Sequence, residues 1–351
     1  MKDSRFYIMK KTIKLKDAVG TKLAHDITEI RPGEFKGPAF RKGHTVCDAD
    51  ICRLQRLGKN HLYVIDLEED EMHENEAAGI LAGALAGDGI VWKDVPREGK
   101  IQMLAGHDGL LKVNANTLAD FNMVEEVMCA SLHNNTMVKK GEQVAATRAI
   151  PLTMKREPIE QAAAIASQNG PVVRVTPFRQ VKVGLLVTGT EVYQGLIEDK
   201  FAAILTEKIE SIGSVVSDLD FAPDDADTIA GVIRSDLEKG CELILLSGGM
   251  SVDPDDVTRH GIRLAGATEL NYGAAVLPGA MFLLAYLGEV PLLGVPACGL
   301  HHRITALDLV LPRILAGERL GRKDLALLGH GGLCRDCPEC KYPACSFGKG
   351  I

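Results

Sequence analysis

From Val181 onward the chain repeats one pattern, and that pattern leaves few folds open to it. Val181–Thr188 is an apolar run that ends in Gly189-Thr190-Glu191. Phe201–Ile212 sets Phe201, Ile204, Leu205, Ile209 and Ile212 on one helical face, and Gly213 stops it. Ser214–Phe221 is a second strand, followed by Ala222-Pro223-Asp224-Asp225. Asp227–Lys239 is a second helix closed by Gly240. Leu243–Leu246 is a third strand and Val257–Leu264 begins a third helix. Phe282–Leu287 and Leu292–Val295 supply further strands, and Leu300–Leu315 a final helix. Strand alternating with helix predicts an α/β fold, a three-layer arrangement around a mostly parallel sheet.

In such sheets ligands bind outside the carboxyl ends of the strands. Four polar or glycine-rich loops fall at those ends: Thr188–Glu191, Pro223–Asp225, Ser247–Asp256 and Pro296–Gly299. The third is the most informative. In Leu243–Thr258 an apolar strand runs into Ser247-Gly248-Gly249-Met250-Ser251, and then into Asp253, Asp255 and Asp256. One helix cap needs one carboxylate, whereas three within four residues repel unless a cation or a functional proton compensates. The pattern suits an anionic ligand held by backbone N–H groups beside a metal held by carboxylates.

The portion before Val181 is shorter in period and richer in turns. A β-rich domain is expected over residues 1–66, with one short helix at Asp48–Leu57. A second, mixed region is expected over 67–175, with helices near Ala77–Leu85, Asn116–Met128 and Pro158–Ser167. The α/β domain follows over 176–325 and a cysteine-rich tail over 326–351. The net charge of −7 and the lack of a Lys/Arg cluster argue against a nucleic-acid face. The most apolar segment, Gly273–Leu300, carries three prolines and Glu289, so no membrane span is expected. Met1–Lys10 has no apolar signal core, which points to a cytoplasmic protein.

The tail carries the second motif. Four of the nine cysteines are spaced as Cys334-x2-Cys337-x2-Cys340-x4-Cys345. In a chain without an export signal this spacing reads as metal ligation rather than disulfides. Cys-x2-Cys-x2-Cys lets three thiolates reach one iron–sulfur cluster, with Cys345 as fourth ligand. A four-thiolate Zn²⁺ site is the alternative.

Together, TGTE at Thr188–Glu191, PDD at Pro223–Asp225, SGGMSVDPDDVT at Ser247–Thr258 and GVPACG at Gly294–Gly299 resemble the molybdopterin-binding domain. That domain is shared by molybdopterin adenylyltransferases, molybdopterin molybdotransferases and competence-damage-inducible proteins. The resemblance covers Val181–Leu320. Leu23-Ala24-His25-Asp26 and Glu76-Ala77-Ala78 are similar to the N-terminal part of the molybdotransferase. The resemblance implies a pterin dithiolene carrying a terminal phosphate, free or as a nucleotide. Thr188, Gly189, Thr190 and Glu191 would meet the phosphate. Ser247, Gly248, Gly249, Met250, Ser251, Asp253, Pro296 and Cys298 would complete the binding loops. Asp224 and Asp256 match positions used for catalysis or Mg²⁺. Two departures stand out. Ala297-Cys298-Gly299 replaces a Gly-Asn-Pro turn, and Asp253-Pro254 replaces Gly-Asp. Cys298 is either a soft ligand near molybdenum or a small buried filler.

Three activities are therefore expected as alternatives: an enzyme of molybdenum cofactor synthesis, working by molybdate insertion or phosphate chemistry; a non-catalytic carrier or sensor; and a nucleotide pyrophosphate hydrolase. A homo-oligomer is the expected assembly.

Overall fold

The computed structural model describes residues 11–31, 34–64, 68–92, 96, 99–168, 170–250 and 257–350. The chain divides into two compact units. The first comprises Met1–Ala105, Asn114–Ser131 and Glu142–Arg174; the second comprises Gly106–Val113, Leu132–Gly141 and Val175–Ile351.

In the first unit, Ile27–Arg31 and Phe35–Phe40 form an antiparallel pair, as do Lys11–Lys14 and His61–Val64. With the helix Asp48–Arg56 they enclose a core of Leu15, Leu23, Ile27, Phe40, Val46, Leu54 and Leu62. A four-stranded antiparallel sheet follows, in the order Ile90–Val91, Lys100–Ala105, Gln143–Ala149, Val127–Ser131. The helix expected over Asn116–Met128 is shorter, Ala115–Asn122, and Val127 onward is strand. Alternating burial at Val127 and Cys129 fits one face of a sheet better than one stripe of a helix.

The second unit is built on a six-stranded sheet. Its elements are β1 (Lys182–Thr188), α1 (Thr190–Tyr193), α2 (Phe201–Ser211), β2 (Val215–Ala222), α3 (Ala226–Glu238), β3 (Leu243–Ser247) and α4 (Thr258–Leu264). They continue as β4 (Thr268–Tyr272), β5 (Leu283–Leu287), β6 (Val290–Val295), α5 (Ala306–Leu315) and α6 (Arg322–Leu327). The strand order is β2-β1-β3-β6-β5-β4. β2, β1, β3 and β6 run parallel, and β5 and β4 return antiparallel at one edge.

The apolar runs of β1, β3 and β6 are continuous because helices cover both faces. Val183, Leu185, Val187, Leu243, Leu245, Leu293 and Val295 pack with residues of α2 and α5. Leu186, Ile244, Leu246 and Leu292 pack on the other face with Ile229, Ile233 and Ile262 of α3 and α4. The mostly parallel, three-layer α/β arrangement is thus present. Two features differ from the sequence reading. β4 is an edge strand whose Thr-Glu-Leu-Asn-Tyr carries no long apolar signal. The last long helix starts at Ala306, not Leu300: Ala297–Leu300 is a 3-10 turn, and Thr305 caps the helix by accepting from the Leu307 N–H at 3.3 Å.

Candidate functional site

All four loops singled out in the sequence leave the sheet at the carboxyl ends of β1, β2, β3 and β6, and side-chain bonds join three of them. At the end of β1, the Thr190 N–H and hydroxyl both donate to Asp224 Oδ2, at 2.8 and 3.0 Å, and the Asp224 N–H returns a bond to Thr190 Oγ1 at 3.2 Å. This locks the first loop to the second. Asp225 turns the other way and caps α3, accepting from the Thr228 N–H at 2.8 Å and its hydroxyl at 2.6 Å. The Thr228 hydroxyl and N–H hold the Asp225 carboxyl below the ordinary aspartate range. The pair therefore divides its work: Asp224 ties two loops together, and Asp225 starts a helix.

Thr188 links the first loop to the third. It is buried, and its hydroxyl lies 3.1 Å from the Ser247 carbonyl and 3.0 Å from Thr258 Oγ1. That hydroxyl is spent inside the fold, as are the Thr190 donors held by Asp224 and the Gly189 N–H, which donates to the Ala222 carbonyl at 3.1 Å. Glu191 is exposed. The glycines are required where they stand. Gly248 has φ +89°, and a Cβ there would sit 2.1 Å from the Thr188 carbonyl oxygen; Gly249 has φ +56°, and its Cβ would sit 2.2 Å from Thr258 Oγ1. Ser247 is fully buried, and its Oγ has no hydrogen-bond partner among the described residues. A buried hydroxyl without a partner beside a turn that excludes any Cβ suits a polar ligand.

Gly248, Gly249 and Met250 face Pro296, Ala297 and Cys298 across a cavity of about 440 Å³. Its third wall is Leu277–Met281, a stretch the sequence reading treated only as apolar. No local signal marks it, because it is brought to the rim by the antiparallel return of β5. Met250 is held from beneath: its carbonyl accepts from Tyr272 OH at 2.6 Å, and Arg259 stacks 4.3 Å over the Tyr272 ring. Cys298 is half-buried, and that burial pushes its thiol up from the ordinary range. Ser251, Asp253 and Asp256, together with Asp255, lie outside the described residues.

Residues 184–316 match the family described as a probable molybdopterin binding domain. The α/β domain is a member of the molybdopterin-binding family. Residues 12–66 match a second family, described as a domain of unknown function. Among curated relatives, the chain is 28% identical over 196 residues to the molybdopterin molybdenumtransferase of Haemophilus influenzae, covering 53% of this chain and 46% of that protein. It is 26% identical over 176 residues to the Synechococcus elongatus protein of the same name, covering 47% and 42%. A CinA-like protein of Frankia casuarinae is 32% identical over 90 residues, 26% of this chain and 21% of that protein. The chain spans less than half the length of each of these relatives. The molybdopterin-binding domain is the part to which the rim loops belong.

The tail cysteines stand apart from that rim. Cys334, Cys337, Cys340 and Cys345 line one cavity of about 270 Å³, together with His301 and His302. All four are free thiols. The Asp336 N–H points at Cys334 Sγ at 3.5 Å, as in turns that orient a thiolate. Among the described residues no three His, Cys, Asp or Glu side chains are gathered tightly enough to hold a metal as they stand. The same holds for Asp224, whose carboxylate is engaged by Thr190. Among the described residues no helix is long and apolar enough to cross a membrane.

Proposed function

We propose that this chain binds molybdopterin, or a nucleotide derivative of it, on the rim of its α/β domain and acts in molybdenum cofactor biosynthesis. The observation that carries the reading is the convergence of loops. Thr190 with Asp224, and Thr188 with Ser247 and Thr258, bind three strand ends together beside a glycine turn that admits no Cβ. The phosphate would be met by Gly189, Thr190 and Glu191 at one end. The pterin would lie against Gly248–Ser251, Asp253, Pro296 and Cys298 at the other. A Mg²⁺ ion held by Asp224 and Asp256 would neutralise charge on phosphate oxygens. For Asp224 this means giving up at least one bond from Thr190 when the ion binds. The metal chemistry apart, the chain's own contribution is positioning: a locked pair of loops whose Gly189 and Thr190 N–H groups, now donating to Ala222 and Asp224, would turn to the phosphate on binding.

One experiment separates two activities, because Ala297-Cys298-Gly299 favours a second reading, a carrier or sensor without turnover. The half-buried thiol at Cys298 offers a protonated, soft group where the motif of the molybdotransferases has an amide. The tail would hold a metal centre, an iron–sulfur cluster or Zn²⁺; the shared cavity of its four free thiols supports this. A cytoplasmic homo-oligomer completes the proposal. Nine unpaired cysteines support the compartment. Val215, Leu219 and Phe221, exposed on the edge strand β2, support association.

Calorimetric titration of the full chain with molybdopterin is the direct test. Binding that falls at least about tenfold in Asp224→Asn, some 1.4 kcal/mol, is the expected result. Conversion of the ligand by the wild-type chain, with molybdate or a nucleotide supplied, selects the enzyme. Binding without conversion selects the carrier. A folded chain that binds no molybdopterin removes both.

A further inference from the structure

We infer that the cysteine tail is a metal-dependent clasp on the wall of the pterin pocket, so that loading the tail with a soft, thiolate-seeking metal tightens the pocket. The inference rests on the metal-binding reading of the tail given above, and adds to it a direct mechanical link to the ligand site.

The link is backbone. The chain entering the tail pairs with Leu277: the Leu277 N–H donates to the Gly332 carbonyl at 2.8 Å, and the Cys334 N–H donates to the Leu277 carbonyl at 2.8 Å. Leu277 is also a wall residue of the 440 Å³ cavity. Two residues on, Gly279 lines that cavity together with Cys298. On the far side, His301 and His302 of the cysteine cavity both donate their N–H groups to the Cys298 carbonyl, at 3.1 and 3.0 Å. Two short backbone paths, one through Leu277–Gly279 and one through Cys298–His302, therefore join the cavity of the four thiols to the pocket.

The anchoring of the tail shows how a metal would act. Cys334 and Cys345 are half-buried and pack on the domain core with Tyr342, and Phe347 is fully enclosed in it. Cys337 and Cys340 are exposed. One pair of thiols is fixed to the fold while the other lies on the outer loop, so no three are within reach of one ion as they stand. Binding must draw the outer pair inward, each thiol releasing its proton to solvent as its bond to the metal forms. The strain of that closure falls on Cys334 and hence on Leu277. A closed tail suppresses any local opening that separates Leu277 from Cys334, and with it exposure of Cys298.

The test uses the full chain in three states: metal-free, loaded with Co²⁺ as an optical stand-in for Zn²⁺, and treated anaerobically with ferrous iron and sulfide. Thiolate-to-metal absorption in one of the two loaded states identifies the centre, and its loss in a Cys337→Ser, Cys340→Ser double variant assigns it to the tail. Both substituted side chains are exposed, so the variant folds. Two readouts then address the pocket: peptide-resolved hydrogen exchange over residues 274–282 and 297–302, and the rate of Cys298 alkylation. With metal at a hundred times its Kd, openings that break the site are suppressed up to about a hundredfold, and alkylation slows accordingly. The double variant shows no such slowing. Metal that binds the tail while both readouts stay unchanged overturns the clasp and leaves the tail's metal site standing. No metal uptake in either loaded state overturns both.

Discussion

A single buried carboxylate shows how far a residue's surroundings can move its chemistry. Asp236 on α3 is fully buried, and neither carboxylate oxygen has a hydrogen-bond partner among the described residues. Its nearest cation, Lys239 Nζ, is 3.6 Å away and is shared with Asp218 at 3.0 Å and Asp220 at 3.8 Å. Gly184 in β1 makes room for it: a Cβ there would sit 2.5 Å from Asp236 Oδ2. Burial, and then Asp220, push the Asp236 carboxyl up to about 6, against the pull of Lys239. A raised acid binds its proton more tightly folded than unfolded, so this group's contribution is greatest below about pH 4 and is lost as pH rises to about 6. Asp236→Asn should flatten that decline and gain on the order of 2 kcal/mol at pH 7.5. Urea midpoints at pH 4.5 and 7.5 for both proteins check it; an unchanged pH slope in the variant sinks the assignment. Nothing in the sequence marks Asp236 apart from its neighbours, because its environment is made by Gly184 and by carboxylates on another strand. Gly248 and Gly249 were the opposite case. Their position between an apolar run and an acidic one announced a turn, and the close approach to Thr188 and Thr258 is its reason.

At the scale of elements, strands were legible where both faces are buried and helices where one stripe is. β1, β3 and β6 read directly as apolar runs, and α2 and α3 as periodic faces closed by Gly213 and Gly240. β4 did not, since an edge strand with exposed Thr268 and Glu269 needs no apolar face. The start of α5 was misplaced for a related reason: Leu300 and Ile304 continue the apolar period upstream, but Thr305 diverts the backbone into a cap. Thr305 accepts from the Leu307 N–H, and Asp308 reaches back to the Thr305 N–H at 2.7 Å. Two otherwise orphaned donors are satisfied by this reciprocal box. Thr305→Ala should cost about 1 kcal/mol, read as a lower thermal midpoint. Because α5 follows the Pro296–His302 turn, the same variant should speed exchange of the first-turn amides of α5 more than those of α2. Uniform acceleration over both helices would show that the cap has no local role.

At the scale of the whole molecule, the feature least accessible to sequence reading is that the second unit is not one continuous stretch. Gly106–Val113 and Leu132–Gly141 belong with Val175 onward, and Leu111 pairs with Thr136 in an antiparallel ladder within it. Periodicity reports local faces; it carries no information about partners 200 residues away. Charge holds such a segment in place. Lys112 Nζ lies 2.8 Å from Glu318 Oε1, and Arg313 bridges Glu318 Oε2 at 2.8 Å and Asp324 at 2.9 Å. Burial pushes the Glu318 carboxyl up, but bonds from Arg313 and Lys112 outweigh it and hold the group below the ordinary glutamate range. A depressed acid contributes stability that is fully present above its unfolded pKa, near 4.3, and is lost as pH falls through the folded value. Glu318→Gln leaves two cations facing a neutral amide in a partly buried site, which should cost about 2–3 kcal/mol at pH 7. The cost should begin to shrink as pH falls below about 4, where Glu318 of the unfolded chain takes up a proton that the folded carboxylate still resists. Chemical denaturation of both proteins at pH 7 and pH 3.5 distinguishes this from simple loss of packing, which would cost the same at both. If the penalty is undiminished at the lower pH, the network is not what secures the segment around Lys112, and the burial of Leu110 and Leu111 must do so instead.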